Sequence, residues 1–325
     1  MKAVILAGGF GTRLRPLTFV RPKHLLPIVN KPMLGHIVDY ILSFKEIDEI
    51  IISVGYTEEF KMIEDHFKNK KHISLIKEPK RMGGVGAIKY VLDNYKINEP
   101  FLLYLGDNIT NFNLKKLIDF HKKNNDAIAT IGLIETSEPW KFGVAELEGH
   151  SITRFVEKPP IGSEPSNLIS TGIYVMDPKI NEFLTYEFMD STGMIFPILL
   201  KNGENLNGLL QKNVFWVDVG RPASYIEATA YELRRLGKQN WIDPSVSIGI
   251  GTKIEGPVVI YKNTKIGKNC IIRNSVIMEN NQIGDNCSII NSIIDESCKI
   301  GNEIHISTTL GRGSILMNGK ENGNS

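Results

Sequence analysis

The sequence predicts an α/β domain on a Rossmann-like mixed sheet, followed by a left-handed parallel β-helix. Three observations carry this. From Met1 to about Leu236, short apolar runs alternate with amphipathic stretches. In the last third, isoleucines recur in steps of six residues. In that same stretch the pair Ile-Gly returns at Ile248-Gly249, Ile266-Gly267, Ile283-Gly284 and Ile300-Gly301.

In the first part, Lys2–Leu6, Ile50–Val54, Ile73–Ile76 and Phe101–Leu105 read as buried strands. Between them, the segments 34–44, 58–67 and 85–93 read as helices. Strand-helix-strand alternation implies parallel strands joined by right-handed crossovers. Such sheets bind ligands beyond the carboxyl ends of their strands. The loops after Leu6 and Leu105 are therefore the first candidates for chemistry.

In the second part, Ile248, Ile254, Ile260, Ile266 and Ile272 stand six apart. A step of five leads to Ile277, and the series continues at Ile283 and Ile289. Another step of five gives Ile294, then Ile300 and Ile306. One Ile-Gly pair per 18, 17 and 17 residues is one coil of three short sides. One apolar residue per side points inward, and glycines and asparagines turn the corners. A period of six leaves no apolar stripe on an α-helix. The expected domains are 1–236, a junction at 237–243 and a hexapeptide-repeat helix over 241–311. A Gly-, Asn-, Lys- and Ser-rich tail, 312–325, is expected to be flexible.

Composition excludes several classes. Hydrophobic residues make up 42% and charged residues 23%, enough apolar material for a sizeable core. A net charge of +2 gives no electrostatic case for nucleic acid or an anionic membrane as partner. No apolar run approaches the roughly 18 residues of a spanning helix. The opening Met1–Gly9 has too short an apolar stretch for a signal peptide. The cysteines, Cys270, Cys287 and Cys298, lack CxxC spacing, so a zinc site is not expected. Their odd, sparse number and the absence of an export signal fit a cytoplasmic protein.

The sharpest motif is Leu6-Ala7-Gly8-Gly9-Phe10-Gly11-Thr12-Arg13-Leu14, followed by Pro22-Lys23-His24-Leu25-Leu26-Pro27. Glycines after a buried strand let backbone N–H groups approach a phosphate chain without a Cβ in the way. Arg13 and Lys23 add fixed positive charge. A tight turn with two solvated cations is the plainer alternative. No Gly-Lys-Ser/Thr follows, so this is not a Walker loop. The glycine spacing does not fit the dinucleotide fingerprint either.

These residues resemble the signature of sugar-1-phosphate nucleotidyltransferases, the nucleotide-sugar pyrophosphorylases. Four further blocks are similar to that family: Leu105-Gly106-Asp107-Asn108, Phe155-Val156-Glu157-Lys158-Pro159, Ser170-Thr171-Gly172-Ile173-Tyr174 and Trp216-Val217-Asp218-Val219-Gly220. A β-helix tail is a common appendage there. The resemblance implies a nucleotidyltransferase domain in which a sugar phosphate attacks the α-phosphorus of a triphosphate and pyrophosphate leaves. Such a nucleophile is already anionic and needs no strong base, so the lack of a Ser-His-Asp constellation is no objection.

The resemblance also implies roles. Leu6, Gly8, Gly9, Gly11, Thr12 and Arg13 would line the triphosphate, with Arg13 on the leaving pyrophosphate. Lys23 would bridge the α-phosphate and the incoming phosphate. Lys158 would clamp the sugar phosphate. Gly143 and Glu157 would contact sugar hydroxyls, with Thr171 nearby. Asp107 and Asp218 would share a Mg²⁺, hard oxygen ligands for a hard cation. Read alone, Asp107 is a turn former, Lys158 a solvated lysine and Glu157 a surface partner for Arg154.

Base choice turns on Glu78. It stands where thymidylyl- and uridylyl-transferring relatives carry a Gln, ahead of the Gly83-Gly84 turn, whose Gly83 is a further nucleotide-binding candidate. A carboxylate only accepts hydrogen bonds, and guanine offers two adjacent donors. This favours GTP, and with it mannose 1-phosphate. The turn at Leu105–Asn108 is closer to thymidylyltransferases and keeps dTTP or UTP with glucose 1-phosphate open. Three rival readings remain beside it. They are a non-catalytic regulatory subunit of the same architecture, an acetyltransferase activity in the β-helix, and a carbohydrate-binding module. The β-helix is expected to join subunits into a homo-oligomer.

Overall fold

The structure is a computed structural model that describes residues 1–317. By compactness the chain divides into two units. A sheet unit holds Met1–Phe10 and Leu34–Trp216, and a coil unit holds Gly11–Met33 together with the chain from Val217 onward. This cut differs from an expected boundary near residue 236. The loop 11–33 and the helix Pro222–Arg235 group with the C-terminal coils.

The sheet unit is built on nine strands. Their spatial order is Ile73–Lys77, Glu49–Val54, Lys2–Ala7, Phe101–Leu105, Leu168–Met176, Ala129–Glu135, Leu206–Leu210, Ser151–Glu157 and Gly143–Glu148. The first four are mutually parallel, as their alternation with helices dictates. Leu168–Met176 runs antiparallel to both its neighbours, so the sheet is mixed. Ala3, Val4, Ile5, Ile50, Ile51 and Ile52 are fully buried, the pattern of strands covered on both faces. The register sets Leu6 beside Ser53 and beside Leu105, and Val54 beside Lys77. The four parallel strands therefore end at one level, and the segments leaving them carry Gly8, Gly55, Glu78 and Gly106.

Helices follow the expected periodicity with shifted ends. Met33–Leu42 stops short of Phe44, and Glu59–Phe67 lies where expected. The helix Gly83–Asn94 begins two residues before the apolar pattern does. Its glycines are poor helix formers, yet no larger residue fits. A Cβ on Gly83 would lie 2.1 Å from the Met189 carbonyl oxygen, and one on Gly84 2.4 Å from the Thr192 nitrogen.

In the coil unit, short strands stack in parallel on three sides of each coil. One stack pairs Ser247–Ile248, Lys265–Ile266, Gln282–Ile283, Lys299–Ile300 and Ile315–Leu316. A second pairs Ile254 with Ile272, Ile272 with Ile289, and Ile289 with Ile306. A third joins Ile242, Ile260, Ile277, Ile294 and Leu310. The six-step isoleucines from Ile260 to Ile306 are buried. Ile248 is 40% exposed because no coil lies beneath it on its stack.

The corners are turned by Asn263, Asn269, Asn274, Asn280, Asn286 and Asn291, all with φ between 46° and 61°, where asparagine is tolerated. The Ile-Gly glycines do a different task. A Cβ on Gly249 would lie 2.4 Å from the Gly267 backbone, so these glycines let one coil lie close on the next. Cys270, Cys287 and Cys298 are free and buried, and their thiols donate to Gly284, Gly301 and Gly311 carbonyls of the following coil. Within the expected tail, Ile315–Leu316 adds a strand in which Leu316 pairs with Ile300 and packs on the coil core, while Ile315 is 62% exposed. The rest of that tail, 318–325, lies outside the described residues.

Candidate active site

In the sheet unit, the strand Lys2–Ala7 delivers the chain to Gly8 at the common level of the strand ends. A Cβ on Gly8 would lie 2.7 Å from Glu78 Oε1, and one on Gly55 3.3 Å from the Gly8 carbonyl oxygen. The backbone therefore passes the Glu78 carboxylate at a distance only glycine allows. Glu78 is 5% exposed, and Ser53 Oγ donates to its Oε1 at 3.0 Å. Burial pushes its carboxyl above the usual carboxylate range, opposed by the bond from Ser53 and one from the Met82 backbone. Gly83 does not share this close approach; its missing Cβ makes room for Met189.

A carboxyl raised in the native state favours folding below its unfolded pKa, and that contribution is lost as pH rises through the folded value. Glu78→Gln removes the ionisation while keeping the shape. Its melting temperature should exceed that of the unsubstituted chain at mildly alkaline pH, and the gap should close toward acid pH. A gap independent of pH in circular-dichroism melts would contradict the burial argument.

The neighbouring loop is held just as closely. Gly106 donates its N–H to the Leu6 carbonyl at 2.9 Å, and a Cβ there would lie 2.8 Å from that oxygen. Leu6 thus uses its carbonyl to fix the turn that presents Asp107. Asn108 Nδ2 and Trp216 Nε1 donate to the Thr171 carbonyl at 2.7 and 2.8 Å. Thr171 is fully buried and its hydroxyl donates to the Gly132 carbonyl. Thr171 thereby ties the turn at Asn108 to the strand that carries Gly132.

Gly143 and Glu157 are opposite partners in the antiparallel pair 143–148 and 151–157. Glu157 Oε2 would lie 2.8 Å from a Cβ on Gly143 and 2.2 Å from one on Gly193. Two glycines thus cradle the carboxylate. Glu157 Oε1 lies 3.8 Å from Lys158 Nζ, and Lys158 rather than Arg154 is its cation. Lys158 is exposed and holds φ at +46°, a conformation that favours glycine. Its N–H donates to the Phe142 carbonyl at 3.0 Å, which fixes this strained backbone.

In the coil unit, Gly11 takes a left-handed conformation, φ 62° and ψ 32°. A Cβ there would strike Lys23 Cβ at 2.8 Å and Thr18 Cγ2 at 3.1 Å. Thr18 Oγ1 donates to the Gly11 carbonyl at 2.9 Å. Short 3₁₀ turns over Thr12–Leu14, Leu17–Phe19 and Lys23–Leu25 shape the loop between. Leu14 and Leu17 anchor it, leaving Thr12 and Arg13 exposed. Lys23 is nearly buried. Arg13 and Asp218 converge on Gly220, where a Cβ would lie 2.9 Å from Arg13 Nη2 and 3.3 Å from Asp218 Oδ1.

Arg13, Lys23 and Asp218 thus lie in the coil unit, and Glu78, Asp107, Glu157 and Lys158 in the sheet unit. The description "nucleotidyl transferase" belongs to a family model that matches residues 2–235. The chain belongs to the nucleotidyl transferase family. It is an enzyme of that class. A second family model, described as the GMPPB C-terminal domain, matches residues 236–318. A mannose-1-phosphate guanyltransferase of Aspergillus oryzae is 34% identical over 281 residues, 83% of this chain and 74% of its own length. The Xenopus laevis mannose-1-phosphate guanyltransferase beta-B is 31% identical over 278 residues, 83% of this chain and 74% of its own length. Among solved structures, a Bacillus anthracis protein described as a glucose-1-phosphate thymidylyltransferase superposes with TM-score 0.62 at 29% identity. That match covers 71% of this chain and 94% of that one. The nucleotidyl transferase signature was legible in the glycine loop, whereas Ser53 and Gly193 carried no signal of their own: each matters only through the carboxylate it touches.

Proposed function

We propose that the chain transfers a guanylyl group from GTP to mannose 1-phosphate, making GDP-mannose and pyrophosphate. The observation that carries the base assignment is Glu78, a buried carboxylate against Gly8 at the carboxyl ends of the parallel strands. Its acceptor oxygens suit the N1–H and N2–H₂ donors of guanine and oppose the carbonyls of uracil or thymine. The guanyltransferase relatives support the same substrates. The likeness to the Bacillus anthracis protein favours the second reading, a thymidylyl or uridylyl transfer to glucose 1-phosphate.

In the proposed reaction, a phosphate oxygen of the sugar phosphate forms a bond to the α-phosphorus, and the bond to the β-phosphate oxygen breaks. The main obstacle is the meeting of two anions. Lys23 screens them at the α-phosphate, Arg13 takes charge on the leaving pyrophosphate and Lys158 binds the sugar phosphate. Glu157 accepts from sugar hydroxyls. The backbone at Gly8, Gly9, Gly11 and Thr12 lines the triphosphate. Asp107 and Asp218 would hold the divalent metal, for which we propose Mg²⁺. Among the described residues no group of three or more His, Cys, Asp or Glu side chains is placed to hold a metal. Two hard carboxylates suit an ion that takes its other ligands from phosphate and water. When bound, it supplies positive charge beside the phosphates.

The proposal extends to organisation. The catalytic part is 1–236, and the coils form a left-handed β-helix that joins copies of the chain in the cytoplasm. Among the described residues no helix is long and apolar enough to cross a membrane.

The test of base choice is Glu78→Gln. Its amide offers one donor and one acceptor, a match for the N3–H and a carbonyl of uracil or thymine. The ratio of kcat/KM for GTP to that for dTTP should fall about ten- to a hundredfold, the worth of a partly desolvated charged hydrogen bond. An unchanged ratio, or an unsubstituted enzyme that prefers dTTP, would transfer the assignment to the second reading.

A further inference from the structure

The loop Gly11–Met33 carries Arg13 and Lys23, and within the coil unit distant residues hold it at three points. Arg21 Nη2 donates to Asp295 Oδ1 at 3.0 Å and to Glu296 Oε1 at 2.6 Å. Its Nη1 lies 3.5 Å from Met278 Sδ. Pro16 is pressed against Gly311, where a Cβ would lie 2.9 Å from Pro16 Cβ. Tyr225 Oη donates to the Pro27 carbonyl.

The Arg21 contact is costly to build. The Asp295 side chain has no exposure, and its Oδ2 has no hydrogen-bond partner. Glu296 is shared further with Arg312 at 2.7 Å. A buried pair of this kind adds little net stability compared with apolar residues of the same volume. What it does provide is a fixed register between the two segments it joins. Arg21 is two residues from Lys23, with only Pro22 between them, and the proline limits how far the register can slip.

We propose that Arg21 is a positioning residue for phosphate binding, and that the coil bearing Asp295 and Glu296 holds the loop in the shape that aims Lys23 and Arg13. The coils then also shape the phosphate-binding loop, beside any part they take in joining copies of the chain. This rests on the reading of Arg13 and Lys23 as the phosphate-binding cations.

The experiment uses the full chain with Arg21→Met, Arg21→Lys and Asp295→Asn. Pyrophosphate release is measured with GTP and mannose 1-phosphate, and amide hydrogen exchange is followed over 11–25 and over Phe101–Leu105. For Arg21→Met, kcat should fall about tenfold or more, with the mannose 1-phosphate KM changed less than about twofold, because misplacement of a catalytic group lowers kcat more than ground-state binding. Arg21→Lys, which keeps the charge, should recover most of the loss. Asp295→Asn should fall between the two. Exchange should quicken over 11–25 and stay unchanged in Phe101–Leu105. Unchanged kcat in Arg21→Met overturns the proposal, as does a loss of protection spread evenly over both segments. If the unsubstituted enzyme releases no pyrophosphate from these substrates, the substrate reading fails, and the exchange contrast still decides whether Arg21 holds the loop.

Discussion

Replacing Asp107 or Asp218 by Asn should lower turnover by at least ~10²-fold, because each substitution removes an anionic ligand from a charge-dense transition state. Asparagine keeps the volume and one acceptor oxygen, so the fold should survive. Asp107 is set by its turn: Gly106 bonds the Leu6 carbonyl, and Asn108 is tied to Thr171. Asp218 leads directly to Gly220, whose N–H donates to the Asp218 carbonyl at 2.9 Å. Rates measured across a magnesium titration, with melting curves as a control on folding, check this. Near-wild-type turnover of both variants at saturating magnesium would reject the metal assignment.

Lys23→Ala is expected to cost about 10²–10³ in kcat/KM, more than Arg13→Ala, since a desolvated charge acts through a lower effective dielectric than an exposed one. Lys23 is 8% exposed, with Gly11 against its stem, whereas Arg13 is exposed. The two should also differ in kind. Lys23→Ala should weaken use of both substrates. Arg13→Ala should act on the triphosphate alone, leaving the sugar-phosphate KM unchanged. An Arg13→Ala enzyme with altered melting and intact kinetics would remove Arg13 from the phosphate site.

What the sequence made legible follows from periodicity. A six-residue step needs no knowledge of distant residues, and it located the inward isoleucines from Ile260 to Ile306. The parallel strands were readable because apolar runs must be covered on both faces. Which neighbour each glycine makes room for is not written in the sequence. Gly83 proved to accommodate Met189, and Gly249 the coil stacked on it. Thr171 could not be read as fully buried, because burial depends on Asn108, Gly132 and Trp216 closing around it. The grouping of loop 11–33 with the C-terminal chain had no local signature at all. It depends on pairs such as Arg21 and Asp295, whose partnership no window of sequence displays.

That pair spans 274 positions of the chain. A ribosome releases the N-terminal end first, so Arg21 emerges long before the carboxylates that fix it. Through most of synthesis the sheet strands can pair while Arg21 still lacks these two carboxylates. Closing so long a loop is entropically slow, which places this contact late in folding. A chain clipped before Asp295 would therefore keep its sheet but lose the contact that fixes Arg21. If Arg21 positions this loop, full activity would wait for the coil that carries Asp295 and Glu296.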